Sequence, residues 1–249
     1  MQENRNICWV VDLGLIRYEP AFELQRTLVA ARKADAVPDV LLLCEHPHVI
    51  TLGRNGHRDN LLASAHLLRQ MNVEFHATDR GGDITYHGPG QIVGYPILNL
   101  AAIRRDIGWY MRQLEETLIR ATADVGLTAG RRAGMTGVWV ENAGSREADP
   151  LEKIAAIGVH LSRWITSHGF AYNVSTDWRY FDLIVPCGLQ GKRATSLERF
   201  LGSTVQRERI SEGIVKHFGE LFGREMRHVS RAVLEEHLSR QEALAHAIV

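Results

Sequence analysis

The sequence predicts an α/β fold of the α+β kind, with a mixed sheet. Two observations carry this: short apolar runs that read as strands outnumber segments with helical periodicity, and the helical segments separate groups of strands. A third observation sets the extent. The 249 residues show no linker, repeat or low-complexity tract, and that length can bury a substantial core, so one domain spanning 1–249 is expected, with a helical C-terminal segment from about 230.

Taken in order, Ile7 to Ile16 reads as a buried strand. It carries Asp12 and is too short to span a bilayer, and no basic region with a small-residue cleavage site accompanies it. Pro20 suits the first residue of a helix reaching about Lys33, with Phe22, Leu24, Leu28 and Val29 as its apolar face. Val40 to Cys44 is fully apolar and predicts a central strand, with Val49 to Leu52 as its successor after the Glu45–His48 turn. A loop follows at 53–58, and Asp59 or Asn60 can cap a helix to about Met71. Val73 to Thr78 predicts a strand leading into Arg80–Gln91. There four glycines, a proline, an arginine and a histidine suggest a tight hairpin facing a cleft, because glycine permits positive φ and close approach of backbone to a ligand.

Asp106 is positioned to cap a helix whose Ile107, Tyr110, Leu114, Leu118 and Ala121 recur at three- and four-residue spacing until Gly126. Thr136 to Val140 reads as a strand, and 142–149 as a polar loop. Ile154 to Leu161 and Phe170 to Val174 predict two strands joined by a Ser-His-Gly turn, and Leu183 to Val185 leads into Pro186-Cys187-Gly188. Ser203 with Gln206 predicts a capping box for a helix to Phe222, and Ser230 begins the last helix.

Composition narrows the function classes. With 29 basic and 29 acidic residues, bulk electrostatics point to no nucleic-acid partner. The three cysteines, at 8, 44 and 187, form no CxxC pair, so neither a disulfide framework nor a zinc cluster is expected, and a reducing, cytoplasmic setting away from membranes is. The twelve histidines include no HExxH or compact Cys/His spacing, so no metal and no cofactor are expected.

Cys187 is the candidate nucleophile because proline and glycine flank it, a strand-end or loop setting, whereas Cys8 and Cys44 lie in apolar runs where cysteine packs as a small hydrophobe. A thiol of pKa about 8.5 needs a nearby cation to ionise near neutrality. Lys153, just ahead of a strand, could supply one, although a lysine there is also an ordinary solvated residue. His87 and His168 sit beside glycines and could line a pocket or shape a turn.

Three ordered blocks resemble the lipoyl(octanoyl) transferases. They are Arg80-Gly81-Gly82-Asp83-Ile84-Thr85-Tyr86-His87-Gly-Pro-Gly-Gln91, Lys153–Val159 followed by Ser167–Asn173, and Val185-Pro-Cys-Gly188. The resemblance runs from about Ile7 to about Phe222, with Asp83 where glutamine is common and Tyr172 where leucine is usual. It implies the architecture of the biotin and lipoate protein ligases. It also implies transfer of octanoyl from acyl carrier protein to lysines of lipoyl domains in 2-oxoacid dehydrogenases and glycine cleavage H protein. Cys187 and Lys153 are implied as catalytic residues, and Arg80 to His87, Ala156, Ile157, Gly158, Gly169, Phe170 and Ala171 as the acyl site. Three rivals remain open on the sequence. An ATP-dependent ligase would need a phosphate or adenylate loop, which is not seen; a docking module would need no reactive thiol; a hydrolase would need an assignable base.

Overall fold

The computed structural model describes residues 6–141, 151–185 and 194–247, with side chains to Gln241. The chain forms β1 (Ile7–Leu15), α1 (Tyr18–Lys33), β2 (Asp39–Glu45), β3 (Val49–Leu52), α2 (Ala65–Gln70), β4 (Glu74–Ala77), β5 (Ile84–His87) and β6 (Gln91–Ile97). There follow α3 (Leu100–Ile103), α4 (Ile107–Ala123), β7 (Ala129–Arg132), β8 (Met135–Glu141), β9 (Leu151–Ser162) and β10 (Ile165–Asn173). The last elements are α5 (Leu197–Leu201), α6 (Arg207–Phe222), β11 (Glu225–His228) and α7 (Arg231–Ala247). An eight-stranded sheet runs β11-β1-β2-β6-β10-β9-β8-β7, and a three-stranded sheet runs β4-β3-β5. β1 is parallel to β11 and β2, whereas β2 to β8 pair antiparallel, so the sheet is mixed as expected.

Each face of the large sheet is covered because both alternating sets of its strand residues are apolar. On one face Leu41, Ile92, Phe170, Tyr172 and Ile154 pack against Leu114 and Leu118 of α4 and Ile214 and Phe218 of α6. On the other, Leu42, Val93, Tyr95 and Ala171 meet Ala21 and Leu28 of α1 and Leu234 of α7. Cys8 and Cys44 are wholly buried, and burial pushes both thiols up. Asp106 caps α4 as expected, accepting from Trp109 N–H at 2.9 Å, and Ser230 accepts from Val233 N–H at 3.3 Å at the start of α7.

Several local expectations are corrected. α1 starts at Tyr18, so Pro20 is its third residue, tolerated because the first-turn N–H groups have no intrahelical acceptors. Its buried face is Tyr18, Ala21, Gln25, Leu28 and Arg32; Phe22, Leu24 and Val29 flank it. The buried charge is paired: Asp39 joins Arg32 Nε at 2.9 Å and Arg224 Nε at 2.8 Å. β3 follows β2 in the chain at Val49–Leu52 as expected, and it pairs in the small sheet. The helix after residue 59 begins only at Ala65, capped by Ser64, because Leu62 N–H (2.9 Å) and Ala63 N–H (3.2 Å) donate to Leu183 O. The turn expected at Ser167-His168-Gly169 is inside β10. The reversal uses Arg163 (φ 53°) and Trp164 (φ 67°), which the sequence does not mark because turns of this hand favour Asn and Gly. At α6, Gln206 makes no side-chain cap; Val205 N–H instead donates to Glu198 Oε1 at 2.8 Å. The 142–149 loop lies outside the described residues.

The glycine-rich stretch is a tight turn but not a hairpin. Gln91 N–H donates to Gly88 O at 3.2 Å, yet β5 joins the three-stranded sheet and β6 the eight-stranded one. The turn therefore carries the chain from one sheet to the other, and the cleft opens between them.

Candidate active site

A cavity of about 980 Å³ is lined by Arg80–Thr85 and His87, by Lys153 and Ala156–Val159 of β9, and by His168–Ala171 of β10. Its remaining wall includes Tyr18, Val93, Tyr95, Ile107, Met111 and Met135, none of which belongs to a sequence motif. Ile107 and Met111 lie one turn apart on α4, the helix whose other apolar residues fill the core. In the sequence that split shows only as apolar positions, with nothing to separate wall from core.

Glycine is required where the Arg80–Gly82 segment lies on β9. Gly81 N–H donates to Val159 O at 2.8 Å, and a Cβ on Gly158 would stand 2.8 Å from Gly81 O. Arg80 is buried and fixed by Thr51: Nη2 donates to its carbonyl oxygen at 2.7 Å and to Oγ1 at 3.0 Å. Its Nη1 also donates to Gly81 O at 3.1 Å. A guanidinium clamped at both ends holds the loop rigidly at the cavity wall.

Lys153 reaches the cavity because of a bulge in β9. Val138 pairs with Ala155, but the next residue, Trp139, pairs with Lys153, so Ile154 is extra. Ile154 and Ala155 are both fully buried in the core under α4, and the extra residue turns Lys153 to the cavity side with Ala156. Its Nζ stands 4.7 Å from the Trp139 ring centroid.

His87 Nδ1 lies 2.8 Å from Gln91 Oε1, an acceptor, so Nδ1 carries the proton and donates. Burial first, then the nearby His46 and the Arg80 charge, push its pKa down to about 3. It is therefore a neutral wall group at neutral pH. His168, with φ 54°, is a strained residue inside a strand. Its backbone N–H turns to Gln25 Oε1 (2.9 Å), opposite a stretch of β6 where Pro96 has no N–H for the ladder. His168 Nε2 lies 2.7 Å from Asp79 Oδ1. That hydrogen bond holds the Asp79 carboxyl down at about 2, and burial lowers His168 against the pull of the carboxylate.

Tyr86 is corrected: it is buried behind the cavity, not in its wall, with its hydroxyl 2.7 Å from His48 Nδ1 and its ring stacked on Tyr180. The two departures from the resembled pattern also have places. Asp83 accepts from His57 N–H at 3.1 Å and from the Asn60 amide, tying the 53–60 loop to the cavity. Tyr172 faces the core instead, its hydroxyl 2.7 Å from Thr122 Oγ1. Cys187, like Lys192 and Arg193, lies outside the described residues. On either side, Val185 N–H donates to Asn60 O at 2.8 Å, and Thr195 N–H to Lys153 O at 2.9 Å. Both acceptors belong to cavity-lining residues. Among the described residues no group of three or more His, Cys, Asp or Glu could hold a metal ion, and no helix is long and apolar enough to cross a membrane.

Residues 17–219 match the lipoyl protein ligase A/B catalytic domain. The chain is 53% identical over 222 residues to the octanoyltransferase of Solibacter usitatus, covering 89% of this chain and 96% of that one. With the octanoyltransferase of Koribacter versatilis it shares 49% over 215 residues, or 86% and 83% of the two chains. Among solved structures, a chain from the bi-partite lipoate protein ligase and its E2 lipoyl domain of Thermoplasma acidophilum superposes with a TM-score of 0.71. It covers 95% of this chain and 91% of that one at 15% identity, a likeness of fold.

Proposed function

The chain belongs to the octanoyltransferases, acyltransferases built on the lipoyl protein ligase A/B catalytic domain, and on that premise we propose octanoyl transfer through a thioester on Cys187. In the first step the Cys187 thiolate attacks the carbonyl of octanoyl-acyl carrier protein. The C–S bond to the carrier's thiol breaks as the bond to Cys187 Sγ forms, and the carrier thiolate takes a proton from the Lys153 ammonium, which leaves Lys153 neutral for the second step. One thioester replaces another, so the exchange is near thermoneutral and needs no ATP. In the second step the amine of an acceptor lysine attacks that thioester and passes a proton to Lys153, and the Cys187 thiolate departs. The amide formed is the more stable acyl compound, which drives the cycle.

The observation that carries this reading is the bulge that turns Lys153 into the cavity, beside the backbone that resumes after the 186–193 segment. A lysine cation near a thiol favours the thiolate, and a partly desolvated lysine is suited to act as a base. Val93, Met111, Ile157 and Phe170 give the wall an apolar surface. An eight-carbon chain against it gains on the order of 5 kcal/mol at about 0.8 kcal/mol per methylene, which favours octanoyl over short acyl groups. Arg80 to Thr85, His87, Ala156 to Gly158 and Gly169 to Ala171 form the acyl site in this reading. The acceptors are lipoyl domains of 2-oxoacid dehydrogenases and glycine cleavage H protein. The whole chain acts as one catalytic domain, with α7 as an appended segment, in the cytoplasm, where a reducing milieu keeps the thiol free.

Mass spectrometry of the intact protein after incubation with octanoyl-acyl carrier protein tests this. One octanoyl group should appear, map to Cys187 and disappear on adding a lipoyl domain. An adduct on Cys8 or Cys44, full activity in Cys187→Ala, or transfer only from free octanoate with ATP would overturn it.

A further inference from the structure

We propose that Trp139 is the positioning residue for Lys153: its ring face holds the ammonium group in place and favours its charged form. The inference deepens the reading of Lys153 as the partner of Cys187 and rests on it. Trp139 and Lys153 are direct cross-strand partners between β8 and β9, which puts their side chains on one face. Nζ stands 4.7 Å from the ring centroid, inside the range over which an ammonium is attracted by an indole face. The ring is 2% exposed, so packing holds it in place; the Arg132 guanidinium also faces it, with Cζ 5.8 Å from the centroid.

The pairing depends on the extra residue in β9, and the neighbouring strand is shaped to receive it. Gly137 has φ 123° and lies so close to β9 that a Cβ there would stand 2.5 Å from Ala155 O and 3.3 Å from Lys153 Cε. Its N–H donates to Glu115 Oε1 at 3.1 Å. Glu115 is itself 1% exposed and held through Oε2 by Arg112 Nη1 at 2.6 Å and Arg131 Nε at 3.2 Å. An ion-paired carboxylate on α4 thus fixes the Gly137 peptide, Gly137 leaves room for the lysine stem, and Trp139 two residues on presents its ring to the lysine head. A flexible four-carbon side chain gains a defined direction only where both stem and head are constrained.

The test uses protein carrying lysine labelled with ¹³C at the ε carbon. The chain's lysines are Lys33, Lys153, Lys192 and Lys216, so Lys153→Ala identifies the Lys153 signal. In the wild type its ε protons should be displaced upfield by the indole ring current. Trp139→Phe should retain part of that displacement, and Trp139→Met, which fills much of the same volume without a π face, should abolish it. The Lys153 titration midpoint should fall by at least about half a unit in Trp139→Met and by less in Trp139→Phe, since a cation–π contact of this size stabilises only the ammonium. The midpoint for alkylation of Cys187 should rise in the same order.

A wild-type Lys153 signal without ring-current displacement overturns the proposal even if Trp139→Met fails to fold. Equal titration midpoints in wild type and Trp139→Met overturn it as well. If Lys153 responds to Trp139 as expected while Cys187 alkylation is indifferent to both Trp139→Met and Lys153→Ala, the positioning by Trp139 stands and the pairing of Lys153 with Cys187 falls.

Discussion

Replacing Gly158 by alanine adds one methyl group where the Arg80–Gly82 segment lies against β9 in the cavity wall. That carbon would stand 2.8 Å from Gly81 O, 3.4 Å from Arg80 Cδ and 3.5 Å from Arg80 Nη1. The nearest of these is a backbone oxygen, which must retreat by about 0.6 Å to reach ordinary contact at 3.4 Å. It cannot do so alone. Gly81 N–H is bonded to Val159 O at 2.8 Å and Gly81 O accepts from Arg80 Nη1 at 3.1 Å, so the retreat lengthens both and pulls on an arginine clamped to Thr51. Overpacking of this kind costs about 1–3 kcal/mol, which for a chain of this size lowers Tm by roughly 2–12 °C. Displacing the loop that lines the acyl site should also lower kcat/KM for octanoyl-acyl carrier protein by about tenfold, since positional errors below 1 Å already slow acyl transfer. Gly130→Ala is the control, because a Cβ there meets nothing within 4 Å. Differential scanning calorimetry and steady-state kinetics on both variants decide the matter. A Gly158→Ala protein with wild-type Tm and kcat/KM would refute the need for glycine there as a means of close approach.

Three further outcomes are expected. Lys153→Arg keeps a cation but offers no base, so it should still acylate Cys187 in part yet fail to pass octanoyl to the acceptor; transfer at the wild-type rate would count against Lys153 as the base. His87 has a folded pKa of about 3 against roughly 6.5 unfolded, so the unfolded state binds more protons between those values. Stability is therefore full above about pH 6.5 and is lost as pH falls toward 3, by an amount on the order of a few kcal/mol. Urea unfolding at pH 7 and pH 4.5 should show a smaller loss in His87→Gln than in the wild type, and an equal loss would assign the acid sensitivity to other groups such as His46 and His168, which burial also lowers. Lys192 and Arg193 follow Cys187 closely in sequence, a basic pair suited to steer an acidic carrier, so reversing both to Glu should raise KM for the carrier-linked substrate and weaken its salt dependence; an unchanged KM would make the pair ordinary solvated surface.

The class of fold, most of the strands and the blocks that meet at the cavity are all legible in the residues alone. They are properties of local patterning: Val40–Cys44 can only be a buried strand, Asp106 must cap the helix after it, and the glycines of 80–91 announce close approach. Which sheet each strand joins is settled only by packing, because β3 and β5 read the same whether they pair with β2 or with each other. So is the turn at Arg163-Trp164, where the demands of strand pairing override residue preference. The direction of Lys153 is the sharpest case. Regular alternation along β9 says nothing of an extra residue, and the bulge exists because Ile154 and Ala155 are both drawn into the core under α4 while Gly137, tethered to Glu115, lies close against the strand. Those partners are distant in sequence, and a one-residue shift inverts every side chain beyond it, so the aim of the lysine is set by packing that no local pattern records.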